Sequence, residues 1–174
     1  EEAKKEIVAL LKDRANSFIK SSGITYDKVN AVTNLPIDDL PTYMERAKIL
    51  EKHANDEKFK DIVIAHKRIH NILEKSGEEG AEINKDFFFD AAEIELFESA
   101  KETEHLTTEL LKQRDYEAII QLLYLFVPTV NKFFDNVLVM DNNENIRKNR
   151  LALLNFVKAT FEKFADFSEV VVEG

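Results

Sequence analysis

Residues 133–154 read FFDNVLVMDNNENIRKNRLALL. This stretch has a doubled aromatic residue, then a short apolar run with an acidic residue at each end, and then an amphipathic pattern with helical spacing. It predicts a corner of the fold that opens into the last long helix of the chain. Asp141 and Glu144 are three residues apart, which is the spacing of a capping box, so we expect Asp141 to cap that helix.

Helical periodicity continues through the rest of the chain, which has only four Gly and three Pro to interrupt it. The sequence therefore predicts an all-α protein, a bundle of about six to seven helices that forms one domain over residues 1–174. Residues 166–174 are expected to form a weakly ordered tail. The predicted helices cover residues 1–22, 26–33, 37–54, 55–77, 91–114, 116–136 and 141–164.

Two further caps and one helix pairing follow from the same pattern. Asn55 and Asp115 each precede a long amphipathic segment, and we expect each of them to cap the helix that follows it. The helices on either side of Asn55 are separated by only a residue or two. That short connection predicts an antiparallel hairpin.

The sequence excludes several classes of site. It has no cysteine, so disulfides, thiolate metal sites and cysteine nucleophiles are ruled out. No apolar run approaches the roughly 20 residues that span a bilayer, and we expect no membrane partner. His66 and His70 have the spacing of two zinc ligands, but Lys67 stands where a metalloprotease needs Glu. We therefore predict neither a metal site nor a catalytic residue, and interpret the two histidines as a half-exposed pair on a basic helix face.

The net charge of −9 is unevenly distributed. Residues 78–117 carry 13 acidic and 4 basic side chains, whereas residues 46–75 carry 5 acidic and 8 basic ones. This separation predicts an acidic face and a mildly basic face on one bundle, so the total charge does not exclude an RNA partner. The chain begins at Glu1 with a helical pattern already under way, and we interpret it as a fragment of a larger chain.

Three groups of side chains are candidates for RNA contacts: one on each helix of the predicted hairpin and one at the start of the last helix. Basic residues at a helix N-terminus oppose the helix dipole, so they are expected to serve a partner or an internal salt bridge. The structural alternative is that Arg147 pairs with Asp135 or Asp141. Exposed Phe134 or His66 would be available to stack on bases. These candidates are Arg46, Lys48, His66, Lys67, Arg68, Asn71, Lys75, Phe134, Arg147 and Arg150.

Residues 133–154 resemble part of the C-terminal anticodon-binding domain of the bacterial glycyl-tRNA synthetase β subunit. That domain is an all-helical module related to the anticodon-binding domain of arginyl-tRNA synthetases. Further matches lie in the expected order along the chain, while the acidic stretch from Glu78, His66 and His70 depart from the family pattern. The matching residues are Phe133-Phe134-Asp135, Val137, Val139-Met140, Arg147, Asn149-Arg150-Leu151 and Leu153-Leu154, and the further matching segments are AHKRIHNILEKSG at 65–77, ERAKIL at 45–50 and ADFSEVV at 165–171.

The resemblance implies a domain that recognises the anticodon arm and supports aminoacylation of glycine tRNA by a heterotetramer. Its partners would be glycine tRNA, the remainder of the β subunit and the catalytic α subunit, in the cytoplasm. The fragment itself is expected to be non-catalytic and to need no cofactor, whereas the parent enzyme would use ATP and magnesium. Arg147, Asn149 and Arg150, the polar members of the motif, are the expected RNA contacts. The alternative is a helical protein-interaction module that docks on the rest of the synthetase through its acidic face.

Overall fold

A computed structural model of the chain describes residues 23–35, 40–78 and 82–172. Over these residues the chain forms six α-helices and one 3₁₀ turn with no β-strand, which confirms the all-α prediction. The helix predicted over residues 1–22 lies outside the described residues. The helices are α1 (Tyr26–Thr33), α2 (Leu40–His53), α3 (Glu57–Ser76), α4 (Ala91–Gln113), α5 (Tyr116–Asn136) and α6 (Glu144–Glu162), and the 3₁₀ turn is Lys85–Phe87.

Helices α3 to α6 form the main bundle. α4 and α5 pack along each other, α3 packs against α5 and α6, and α6 also packs against α4. The turn between α4 and α5 is tight, because Arg114 adopts a left-handed backbone conformation with φ of 56°. Aromatic rings fill the centre, where Phe59, Phe133 and Phe161 are fully buried. Removing such large apolar surfaces from water is the main force that holds the helices together.

The antiparallel hairpin predicted for α2 and α3 is wrong. α2 packs against α1 and α5, whereas α3 packs against α5 and α6. Arg46 on the buried face of α2 explains the difference. Its guanidinium donates to the backbone carbonyls of Lys163 and Phe164, just beyond the end of α6, at 2.8 and 3.0 Å. It also lies 5.6 Å from the centroid of the Tyr116 ring, so α2 crosses the start of α5 instead of following α3.

The helix caps show where tertiary contacts override a local signal. Asp115 caps α5 as expected, because its carboxylate accepts from the N–H of Ala118 at 3.0 Å. The prediction for Asn55 is wrong, because the N-cap residue of α3 is Asp56. The Asp56 carboxylate makes no capping bond and instead binds Nδ1 of His53 at 2.7 Å.

The predicted cap of α6 is displaced by two residues. The cap is Asn143, whose side-chain oxygen accepts from the N–H groups of the first turn at 3.0 and 3.4 Å. Asp141 is not the cap, because its carboxylate accepts from the Asn143 N–H and from the guanidinium of Arg150. An ion pair with a buried arginine therefore takes the side chain that the capping-box spacing assigns to the helix.

The C-terminal segment, residues 163–172, packs onto the bundle instead of forming a weakly ordered tail. Phe167 and Val170 are fully buried. The backbone N–H of Asp166 donates to the carbonyl of Ala31 at 2.7 Å, which joins this segment to α1. The last apolar residues of the chain thus belong to the core.

Candidate nucleic-acid interface

Two of the three groups of candidate residues meet at one end of the bundle. Arg147, Asn149 and Arg150 of α6 hold the pieces of this end together. We call this end of the bundle the α3–α6 end. It is formed by four segments: the last turns of α3 with the residues that follow (67–78), segment 82–87, connection 137–143 and the first turns of α6 (144–150).

Arg150 is an interior residue of this end, with only 7% of its surface exposed. Its Nε donates to Oε1 of Glu93 at 2.8 Å, and its Nη1 donates to the Leu138 carbonyl at 2.9 Å and to Oδ2 of Asp141 at 3.0 Å. Glu93 is fully buried, and its second oxygen accepts from two backbone N–H groups just before α4. Arg150 therefore makes the internal salt bridges and does not face outward toward an RNA.

Arg147 is half-buried and bound to two other parts of the same end. Its Nε donates to Oε1 of Glu78 at 2.8 Å, and its Nη1 donates to the backbone carbonyl of Asp141 at 3.0 Å. The structure thus favours the internal alternative for Arg147, although the carboxylate partner is Glu78 and Asp141 contributes only its carbonyl. This pair attaches the end of α3 to the start of α6.

Asn149 is 3% exposed, with one half of its amide satisfied. Its Oδ1 accepts from the backbone N–H of Asn84 at 2.7 Å, whereas its Nδ2 has no hydrogen-bond partner among the described residues. The side chain lines a cavity of about 480 Å³ between segment 82–87 and α6, which Asn145 and Lys148 also line. The Nδ2 atom itself is buried, so it can donate to a ligand in this cavity only after the side chain turns outward.

Arg68 of α3 is exposed and lies over an aromatic ring. Its guanidinium carbon is 4.0 Å from the centroid of the Phe134 ring, which is a cation–π contact. Phe134 is only 9% exposed, so the prediction that its ring is open for stacking is wrong. The surface that a base would meet is the outer plane of Arg68.

The other α3 candidates extend that surface. Asn71 and Lys75 are exposed and Lys67 is half-buried, and with Arg68 they fall on neighbouring rows of the helix. Lys75 lies one turn before Glu78, next to the attachment of α6. From Lys67 onward α3 therefore holds three cations against the single carboxylate of Glu74, which leaves it mildly basic toward the α3–α6 end.

The prediction that His66 is exposed is wrong. Its side chain is fully buried and meets the rings of Phe161 and Phe167 at steep angles. Burial lowers the pKa of His66 to about 3, so the ring is neutral at neutral pH. His70, one turn later, is half-buried. His66 is therefore not available to an RNA at the surface.

Arg46 and Lys48 lie at the opposite end of the bundle. Arg46 is buried against the C-terminal segment, and Lys48 is exposed beside the start of α5, where Tyr116 and Glu117 share a shallow pocket with it. Phe134 lies at the far end of α5, which at 21 residues is about 30 Å long. The α2 group therefore does not converge with the other two.

Sequence reasoning missed three features of the α3–α6 end. Leu138 and Met140 are 72% and 47% exposed, because the connection alternates exposed and buried residues instead of burying all of its apolar side chains. The four residues VLVM are all apolar, so the sequence carries no period-two signal for this alternation. The capping role of Glu93 is visible in the sequence, since Glu93 lies three residues after Asp90 and completes a capping box with it. No local pattern reveals that Asn84 contacts Asn149.

Among the described helices, none is both long enough and apolar enough to cross a membrane.

Comparison with known proteins places this end within a matched region. Residues 62–167 match the family model described as DALR anticodon binding domain. Three similar relatives are glycine--tRNA ligase beta subunits. The subunit of Shouchella clausii is 32% identical over 98% of this chain and 24% of its own length, and that of Clostridioides difficile is 32% identical over 98% of this chain and 25% of its own length. The subunit of Acidobacterium capsulatum is 33% identical over 97% of this chain and 25% of its own length. The chain thus spans about a quarter of the length of these relatives. Because the family match covers more than half of it, this chain belongs to the DALR anticodon-binding domain family.

Proposed function

We propose that this chain binds the anticodon arm of glycine tRNA, as part of a glycine–tRNA ligase β subunit. The observation that carries the proposal is the anticodon-binding family match over residues 62–167, which contains the whole α3–α6 end. The names of the similar relatives support glycine tRNA as the partner.

The chemistry of the α3–α6 end supports a single-stranded RNA loop as its ligand. Arg68 offers a guanidinium plane, and RNA-binding proteins stack unpaired bases on such planes. Lys75 is exposed one to two turns away and would meet phosphate, which adds affinity without sequence preference. Asn149 lines the adjacent cavity, and its unpaired Nδ2 would donate to a base edge once the side chain turns this buried atom toward the RNA. Stacking, charge and edge recognition thus lie close together.

Within the parent enzyme the chain would act without chemistry of its own. Glycine activation with ATP and magnesium would take place in the catalytic α subunit, and the chain would need no cofactor to bind RNA. The remainder of the β subunit would position it, in the cytoplasm. Its contribution to aminoacylation would be selection and orientation of the tRNA.

The alternative, docking of a protein on the acidic face of α4, has less support. Many of these carboxylates already have partners within the chain. Glu95 binds Lys132, Glu98 binds Lys85 and Glu93 is buried with Arg150. A face with its charges paired internally attracts a basic partner weakly.

Equilibrium binding of the chain to glycine tRNA, compared with the same tRNA carrying a changed anticodon, tests the proposal. We expect the unaltered tRNA to bind about tenfold more tightly, because a good hydrogen-bonded base contact discriminates by about 1–3 kcal/mol and a tenfold difference is about 1.4 kcal/mol. Equal affinity for both RNAs, or no binding, would contradict anticodon recognition by this chain.

A further inference from the structure

We propose that His66, Glu162 and Asp166 form a binding site for a divalent transition-metal ion such as Zn²⁺. The three residues come from α3, the end of α6 and the C-terminal segment, and one possible ligand atom from each lies within 4.8 Å of the others. This site goes beyond the proposed RNA function and shares no residue with the α3–α6 end.

His66 is the observation that points to a ligand. Its ring is fully buried, and neither ring nitrogen has a hydrogen-bond partner among the described residues. Leaving both nitrogens unpaired in the interior is unfavourable. Phe161 and Phe167 pack against the ring and offer it no acceptor. Nε2 lies on the side of Glu162, 3.8 Å from its Oε1.

One distance in the cluster is close to that of a metal site, and the others are at most 4.8 Å. Zinc binds imidazole nitrogen and carboxylate oxygen at about 2.0–2.2 Å, so ligand atoms in a tetrahedral site are about 3.4 Å apart. Nε2 of His66 and Oε1 of Glu162 are within a few tenths of an ångström of that separation. Glu162 and Asp166 are only half-buried, so their side chains can rotate to complete the site. Three protein ligands leave a fourth position for water.

The donor set also suits a dication. One imidazole and two carboxylates form a mixed nitrogen and oxygen set, which Zn²⁺ accepts. The ammonium of Lys158 binds Oε1 of Glu162, so a cation already interacts with this carboxylate. Asp166 is oriented through Oδ1, which accepts from the backbone N–H and hydroxyl of Ser168. A bound ion would replace Lys158 and link α3 to the C-terminal segment.

Metal binding to the 174-residue chain tests the site. Equilibrium dialysis against Zn²⁺ should yield one ion per chain, and thermal unfolding should show a higher Tm with Zn²⁺ than without it. His66→Gln should abolish this binding. Glu162→Gln and Asp166→Asn change half-buried residues that the fold tolerates more readily, and each should weaken binding by at least about tenfold.

His70→Gln is the matched control, since His70 is on the same helix one turn away and does not belong to the cluster. It should bind Zn²⁺ as the unaltered chain does. The proposal is overturned if the unaltered chain shows no saturable binding. It is equally overturned if Glu162→Gln and Asp166→Asn keep full affinity, or if His70→Gln loses as much affinity as they do.

Discussion

Arg150 and Glu93 form a buried ion pair that joins α6 to the start of α4, with Asp141 as a third charged member. Removing one partner of a buried pair strands the other charge in the interior. We therefore expect Arg150→Ala to lower the free energy of unfolding by about 3–5 kcal/mol, measured by urea denaturation. Lys148→Ala, two residues away, removes only an exposed pair with Glu144 and should leave the midpoint nearly unchanged. Similar midpoints for the two variants would show that the buried pair does not stabilise the fold.

Arg68 calls for the opposite experiment, because it is exposed, whereas the Phe134 ring beneath it packs in the core. Arg68→Ala should reduce affinity for glycine tRNA roughly tenfold by removing a stacking plane and a charge, with little change in Tm. Arg68→Lys retains the charge and loses the plane, so its affinity for glycine tRNA should lie between those of the unaltered chain and Arg68→Ala. If Arg68→Lys binds as tightly as the unaltered chain, Arg68 acts through charge alone. Unchanged binding by Arg68→Ala would remove it from the interface.

At the scale of the elements, His53 joins α2, α3 and α5. Its Nδ1 lies 2.7 Å from Oδ2 of Asp56, and its Nε2 lies 2.9 Å from Oε1 of Glu117. The hydroxyl of Tyr124 also donates to Asp56 at 3.3 Å. The His53 contact is the main cause that holds the pKa of Asp56 below its ordinary value of 3.8. The pKa of Glu117 is also lowered, first by Lys52 and then by His53.

This junction gives the stability a dependence on acid. A carboxylate with a lowered pKa in the folded state stabilises the fold above its unfolded pKa, and that stability is lost as the pH falls through the folded pKa. We expect the Tm to fall between about pH 5 and pH 2. His53→Phe should lower the Tm at pH 7 and make the acid-induced fall shallower, because Asp56 loses its main partner. His105→Phe, at an exposed position on α4, is the control. If the Tm of His105→Phe falls as shallowly with acid as that of His53→Phe, the acid dependence does not come from the His53 junction.

The elements also show what can be predicted from sequence. The bounds of α1 and α5 follow from periodicity and from local signals such as Asp115, so prediction and structure agree. The cap of α6 does not follow from local signals. Residues 141–143 (DNN) offer several capping side chains, and the buried Arg150 binds Asp141, which leaves Asn143 to cap the helix. Burial of His66 was equally out of reach, since the rings that cover it lie about a hundred residues later in the chain. Local chemistry was predictable, and partner choice across the bundle was not.

At the scale of the whole molecule, the two charge types are unevenly distributed. Exposed acidic residues occur on several elements, α4 among them, while the last two turns of α3 hold two exposed cations, Arg68 and Lys75, against one exposed carboxylate, Glu74. A molecule with a net charge of −9 can still bind RNA if the two charge types are separated in this way. An RNA should then approach the α3–α6 end and avoid α4. The few exposed cations at that end predict a modest dependence of affinity on salt.

Lys48 and Lys75 allow the direction of approach to be measured. Both are exposed lysines, but they lie near opposite ends of the bundle. A single-stranded site that loses one phosphate contact should lose about 0.7 from the magnitude of the slope of log affinity against log salt. Lys75→Ala should therefore flatten the slope for glycine tRNA by about that amount, whereas Lys48→Ala should leave it unchanged. The opposite result would move the RNA to the α2 side, and equal flattening by both would mean that the RNA spans the length of α5.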